Sequence, residues 1–247
     1  MRNGVPTREI PQLLLLDEIG LPNRRCLRYG THGLHEYRGK FFPQLVRSLI
    51  NVAGVPRRGV VADPMCGSGT TAVEAVLSDC QALGLDMNPL SVRMARVKCS
   101  LLSIDPEFLV GAYESLRGQL LRSAGKRHGR LTYFGSLPAR DQAYLSGWFS
   151  EQVLQDLDEV SRAIQGTDER VRDFFWLCLS NIIRKVSWQK DDDLRARKEV
   201  RLDAKIDPVR EFLEELGRSV RVVLAFVYHK RDTDYGPFEI AEGDARK

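Results

Sequence analysis

The sequence predicts an α/β fold in which a short parallel sheet of Rossmann-like type carries a large helical insertion. Three observations lead there. Two short apolar runs, 59–62 (GVVA) and 82–85, each stop on an aspartate, Asp63 and Asp86. Each is followed by a turn and then by helical periodicity, which is the spacing of a βαβ unit. A third strand-like run, 238–241 (FEIA), arrives only after a long helical stretch.

The elements follow in order. Residues 1–30 show no clean periodicity beyond Leu13–Leu16 and read as an arm. Pro43 opens a helix over 44–53, where Leu45, Val46, Leu49, Ile50 and Ala53 repeat at helical spacing, and 54–59 ends it. The run 59–62 is apolar throughout, as expected of a strand buried on both faces. Helices are expected over 71–78 and 89–102, around the second strand. From Pro106 the pattern is helical, over 107–121, 142–164 and 169–186. The charge run 191–203 (DDDLRARKEVRLD) reads as an exposed loop or frayed helix, and 208–228 as a long helix. The resulting division is an arm at 1–30, an α/β core at 31–104, a mainly helical region at 105–236, and a third strand at 237–247.

Composition narrows the class. With 247 residues and 43% hydrophobic content the chain can bury a sizeable core without staples. No stretch approaches the roughly 18 apolar residues of a membrane span, and the basic-then-apolar order of a secretory signal is lacking. A soluble, intracellular, cytoplasmic protein with no membrane partner is expected. The five cysteines (Cys26, Cys66, Cys80, Cys99, Cys178) are widely spaced and never form CxxC, so they read as reduced thiols, with neither a disulfide framework nor a bound metal indicated. The net charge of +4 tolerates a polyanion without demonstrating one. Its basic residues gather at Arg24, Arg25 and Arg28, at Arg57 and Arg58, and over 122–130 and 195–201.

The chemistry concentrates after the first strand, in Asp63-Pro64-Met65-Cys66-Gly67-Ser68-Gly69-Thr70-Thr71. Small residues let the backbone bend tightly and approach a ligand, and the amides opening the next helix favour a carboxylate. The glycines do not form GxGxxG, and no Lys-Ser or Lys-Thr pair makes a phosphate loop, so dinucleotides and nucleoside triphosphates fit poorly. Asp86, ending the second strand, is placed to accept hydrogen bonds from both ribose hydroxyls. Together these point to a nucleoside cofactor without a pyrophosphate. A tight surface turn is the bland alternative, weakened by the strand–loop–helix–strand–Asp frame.

At this point the sequence resembles the amino-methylating, site-specific DNA methyltransferases, whose first motif looks like DPFxGSGTT. Met65 stands where Phe is usual, and its soft thioether is expected to take over the aromatic's packing role. The resemblance implies S-adenosyl-L-methionine as cofactor and the first three strands of a partial class I methyltransferase sheet. Residues 31–45 (THGLHEYRGKFFPQL) are similar to the family's segment before the cofactor loop, in which His35, Lys40, Phe41 and Pro43 would line the methionine side. Read by themselves, His32 and His35 are turn or surface residues. Of the neighbours Phe41 and Phe42, one is expected to pack into the core and the other to meet a ligand. Asp86, Met87 and Asn88 resemble the second motif. Residues 179–187 (LSNIIRKVS) also look like a family stretch, but Asn181, Arg184 and Ser187 read better as a polar helix face. Asp244, after the third strand, would contact the adenine amino group; a turn after a strand is the alternative.

The family transfers methyl with a Ser or Asp, then Pro-Pro, then an aromatic, which orients the amine and stacks on a flipped base. None of the eleven prolines here has a proline neighbour, so no catalytic residue is assigned. The expectation is a cofactor-binding subunit or fragment acting on double-stranded DNA, with cytosine N4 slightly favoured over adenine N6. Either a second polypeptide would bring the tetrapeptide and the remaining strands, one of them covering the edge of the first strand, or the chain is a truncated product. The helical stretches, with Arg122, Lys126, Arg127 and Arg130, would serve that interface or the DNA. An RNA methyltransferase component and a non-catalytic cofactor-binding scaffold are the alternatives.

Overall fold

The computed structural model describes residues 29–123, 131–190, 197–200, 206–229 and 234–246. The expected arm up to residue 28, with Cys26 and its arginines, lies outside them, as do Lys126, Arg127 and Arg130 and most of the charge run. The described flanks of that run pair with each other: Gln189 and Lys198 form an antiparallel bridge, and the Lys190 N–H donates to Arg197 O at 2.9 Å.

The fold is α/β. Helix α1 (Pro43–Val52) precedes strand β1 (Val60–Asp63), α2 (Thr70–Leu77), β2 (Gln81–Asp86) and α3 (Pro89–Ser100). Helices α4 (Pro106–Ser123), α5 (Ala139–Ser146), α6 (Glu151–Gln165), α7 (Glu169–Val186) and α8 (Pro208–His229) separate these from β3 (Phe238–Glu242). The three strands form one parallel sheet in the order β1-β2-β3, with Val61 opposite Ala82 and Gly84 opposite Ile240. Both crossovers step the same way across the sheet. Right-handed crossovers that step the same way lay their helices on the same face. Helix α2 accordingly packs on β1 and β2, α3 on β2 and β3, and α1 on α2.

That face forms the core. Val73, Val76 and Leu77 of α2 and Val92, Ala95 and Cys99 of α3 close over Ala82 and Ile240, with Phe226 of α8 in the same cluster. The opposite face is open. Val60 is 56% exposed, Ala62 is exposed, and Leu83, Leu85 and Ala241 are only partly covered around an open hollow of about 450 Å³. Double-sided burial of 59–62 is therefore corrected: the run is apolar because both faces of a parallel strand favour it, yet the described residues cover only one. No described strand pairs with the second edge of β1.

The chain divides into two units, one formed by residues up to Pro106 together with those from Arg221 onward, the other by Glu107–Val220. In the second, α6 and α7 pack through amphipathic faces, with Val153, Leu157, Val160 and Ile164 meeting a core that includes Val171, Phe174, Phe175 and Ile182. Caps fix their starts: Ser150 Oγ accepts from the Val153 N–H at 3.3 Å, and Asp168 Oδ1 from the Arg170 N–H at 3.0 Å. The Ser150 cap explains a correction, since the helix expected over 142–164 is two helices, broken at Gly147. Buried Asp158 accepts from the Thr132 and Phe134 N–H groups and fixes the loop before α5. Asn181 belongs to the helical framework, donating to Glu215 Oε1 at 2.7 Å, and the Ser187 hydroxyl donates to Arg184 O at 2.8 Å. No helix among the described residues is long and apolar enough to cross a membrane.

The entry to β3 tolerates no side chain. The Gly236 N–H donates to Val76 O at 3.0 Å, and a Cβ on Gly236 would stand 1.8 Å from Cys80 O and 2.5 Å from its carbonyl carbon. Gly236→Ala is expected to destabilise the fold by about 2–3 kcal/mol, the cost of overpacking against backbone. The urea midpoint relative to wild type checks this.

Candidate functional site

At the carboxyl ends of the strands, the turn after β1 is tied to the end of β2. The Met65 N–H donates to Asp63 Oδ1 at 3.1 Å, and the Cys66 N–H crosses to Leu85 O at 2.9 Å. Gly67 and Gly69 both lie in the left-handed region, at φ 51° and 80°. A Cβ on Gly69 would stand 2.6 Å from that of Ala95, so glycine lets α2 start in direct contact with α3. Gly69 also occupies the N-cap of α2, which leaves the first amides of that helix without a side-chain cap.

Asp86 joins the pieces. Its Oδ2 accepts from the Gly67 N–H at 2.8 Å and its Oδ1 from the Asn88 N–H at 2.8 Å, while its carbonyl accepts from the Gly243 N–H at 3.0 Å. Asn88 in turn caps α3, its Oδ1 accepting from the Leu90 N–H at 2.9 Å. One residue thus links the loop, the start of α3 and the end of β3. Asp244 follows that strand end and takes the Arg246 guanidinium on both oxygens, at 2.9 and 2.7 Å. That pairing holds its carboxyl below the usual range.

The structure thus brings together Cys66, Gly67, Asp86 and Asn88 through direct bonds, with Ser68, Thr70 and Thr71 at the head of α2. Pro64, Met65, Met87 and Asn88 are exposed around them. Met65 does not pack as expected: it is 80% exposed, because it stands at the crest of the turn. Phe41 and Phe42 are both exposed, at 60% and 61%, so neither enters the core; Phe42 is the extended residue ahead of α1, and the apolar face of that helix starts at Pro43. His35 stays at the half-buried surface, its Nδ1 2.7 Å from Glu36 O, and Lys40 Nζ donates to His32 O at 3.2 Å.

His32 lies in a turn, the 3₁₀ stretch Gly30–Gly33, but not at the surface: it is 2% exposed. Its partner, Glu74, is fully buried on α2, with Oε1 2.7 Å from His32 Nε2 and 2.5 Å from the Tyr29 hydroxyl, and Oε2 accepting from Arg47 Nε at 2.7 Å. The signal for this group was an acid set among Ala72, Val73, Ala75 and Val76, where a buried carboxylate requires partners. Sequence reasoning also missed Tyr37, whose ring lies 3.1 Å from where Gly67 would carry a Cβ, and Lys98, 1% exposed and donating to Ser68 O at 3.0 Å.

Burial pushes the Glu74 carboxyl up, but His32, Arg47 and Tyr29 together outweigh it and hold the group below its ordinary value, so it is ionised. Burial lowers His32 below its ordinary value of 6.5 against the pull of Glu74. The ring is therefore neutral near pH 7, and because a carboxylate only accepts, Nε2 carries the hydrogen. The Cys66 thiol is pushed up to about 11 by burial and by the Asp86 and Asp63 charges, so it stays protonated and is no nucleophile.

The donor set fits a nucleoside that bears an amino-acid carboxylate. It offers helix-start amides without a side-chain cap, a carboxylate at the end of β2, and the Ser68 hydroxyl, buried without a hydrogen-bond partner.

Residues 34–107, which take in the glycine turn, Asp86 and Asn88, match the family model described as RMKL-like, methyltransferase domain. The chain is 27% identical over 168 residues to Type II methyltransferase M.MvaI of Kocuria varians, covering 67% of this chain and 36% of that protein. It is 22% identical over 222 residues to Type II methyltransferase M.BsoBI of Geobacillus stearothermophilus, covering 85% and 41%. With Type II methyltransferase M.MjaII of Methanocaldococcus jannaschii it shares 38% over 72 residues, 28% of this chain and 13% of that protein. The chain therefore spans less than half the length of each of these relatives. No solved structure matches it. The family model and the relatives make this chain similar to methyltransferases, in line with the resemblance read from the motifs.

The buried cluster sets a pH dependence. A histidine whose pKa is lowered by folding loses stability as pH falls below 6.5, where the unfolded chain takes up the proton more readily. The depressed Glu74 carboxyl works in the same direction at lower pH. The urea midpoint is expected to fall between neutral pH and about pH 5, and His32→Gln to flatten the part of the fall just below the imidazole range.

Proposed function

We propose that this chain is the S-adenosyl-L-methionine-binding part of a DNA methyltransferase that modifies an exocyclic base amine, cytosine N4 in preference to adenine N6. The observation that carries the reading is Asp86: it ends a parallel strand, holds the glycine turn and the start of α3 through two backbone amides, and is matched within a methyltransferase-domain model. Ligands of parallel α/β sheets bind outside the carboxyl ends of the strands.

In this proposal the amides at Thr70 and Thr71 hold the amino-acid carboxylate and Asp86 the ribose hydroxyls, while Asp244 faces the adenine amino group. Met65, Met87 and Asn88 border the pocket, and His35, Lys40, Phe41 and Pro43 lie on the methionine side. The cofactor, when bound, supplies a methyl group on a positively charged sulfur. The chain's contribution is to bind and orient; the Cys66 thiol forms no adduct, and an amine needs none once its lone pair is aimed.

A Ser- or Asp-Pro-Pro-aromatic tetrapeptide would aim that lone pair, and we assign it to polypeptide outside this sequence, a second chain or a further part of the same protein. Two observations support this assignment. No two prolines are adjacent in this sequence, and the second edge of β1 carries no described strand. A strand added there would satisfy the edge and bring its carboxyl end beside Asp63.

Two measurements test the reading. The chain should bind labelled S-adenosyl-L-methionine, and Asp86→Ala should weaken binding by about 10- to 100-fold, the loss expected for hydrogen bonds to a charged group. Methyl transfer to duplex DNA should occur only when the chain is joined by the product of a neighbouring reading frame that carries the tetrapeptide. Silence of that complex on both duplex DNA and RNA would leave a non-catalytic binding protein. Transfer to RNA alone would move the substrate class.

A further inference from the structure

Glu74 lies in the second turn of α2, the helix that leaves the glycine turn, and none of its surface is exposed. Three side chains replace the water it gave up: the Tyr29 hydroxyl, His32 Nε2 and Arg47 Nε, at 2.5, 2.7 and 2.7 Å. Tyr29 and His32 stand just before the 35–43 segment. Arg47 stands just after it, on α1, with its guanidinium also over the Tyr29 ring, 5.3 Å from the centroid. One carboxylate therefore clasps both ends of the stretch that carries Lys40, Phe41 and Pro43.

The same turn is tied to the cofactor loop by a second route. The Thr31 hydroxyl donates to Lys98 O at 2.9 Å, and Lys98 Nζ donates to Ser68 O at 3.0 Å. Between the clasped ends, the Tyr37 ring rests against Gly67, and its hydroxyl meets Ser91 Oγ at 3.4 Å. Stability alone accounts poorly for such a hub, because well-packed apolar groups of similar volume commonly serve a core as well as buried ions do or better. What directional bonds add is a fixed geometry between the elements they join.

We infer that Glu74 is a positioning residue for the amino-acid end of the cofactor, holding the 35–43 segment at a set distance from the glycine turn without touching the ligand. This rests on the proposed cofactor site. In Glu74→Gln the amide presents one acceptor and one donor group to three donors, so at least one bond to the segment is lost while the volume is kept.

The test uses the full chain and two ligands: S-adenosyl-L-methionine, and 5′-methylthioadenosine, which keeps the adenosine and the sulfur but lacks the amino acid. Calorimetric affinities and urea midpoints are measured for wild type, Glu74→Gln and Tyr29→Phe. In Glu74→Gln, affinity for S-adenosyl-L-methionine should fall on the order of tenfold, the scale of a small misplacement in a binding site, while methylthioadenosine changes by less than about twofold. Tyr29→Phe should give a smaller loss with the same selectivity, and it decides the matter if Glu74→Gln does not fold. Equal losses for both ligands would mark a merely structural group and overturn the inference, as would unchanged affinities. Wild type that binds neither ligand would overturn the cofactor site itself, and the inference with it.

Discussion

A parallel sheet is only as complete as the helices its crossovers can lay upon it. Here two crossovers run in the same direction, so α2 and α3 share a face, and Ala82 and Ile240 vanish beneath them. The other face keeps Val60, Ala62, Leu83 and Leu85 partly or largely open, although the strands are written for double-sided burial. Among the described residues the second edge of β1 is unpaired and that face is uncovered. The candidate site follows from the same constraint, because parallel strands gather their carboxyl ends, with Asp63, Asp86 and Glu242, along one rim.

At that rim the geometry is held mostly by backbone amides and two acids. Asp86 is shared between the glycine turn and α3, so the turn cannot shift without disturbing the start of the helix that packs on β3. Gly69 brings α2 against Ala95, and Lys98 holds the loop from beneath through Ser68 O. The Tyr37 ring lies against Gly67 as Ala95 does against Gly69, so both glycines let the turn pack closely on its neighbours.

The matches with known proteins fall on this arrangement. The family model runs from the segment before α1 to the start of α4, and so takes in the clasped segment, the turn and the first two strands. The relatives are longer than this chain. The helical unit from Glu107 to Val220 has its own core, caps and buried acid, so it is a built structure and not a loose insertion.

By itself the sequence determined the βαβ spacing, the three described strands, the positions of α1, α2, α3, α4, α7 and α8 within a residue or two, and the Asp-loop-Asp frame. These depend on short-range periodicity, on glycine and proline, and on helix-start chemistry. The break at Gly147 was hidden because 142–164 keeps helical periodicity through it, and only the Ser150 cap reveals a second start. Tertiary structure alone decided which apolar residues are covered: Phe41, Phe42 and Met65 are exposed and His32 is buried. Local pattern cannot state such outcomes, because burial depends on what packs from afar. The Glu74 cluster joins residues 27 to 45 positions apart, and only folding could show which donors its carboxylate would find.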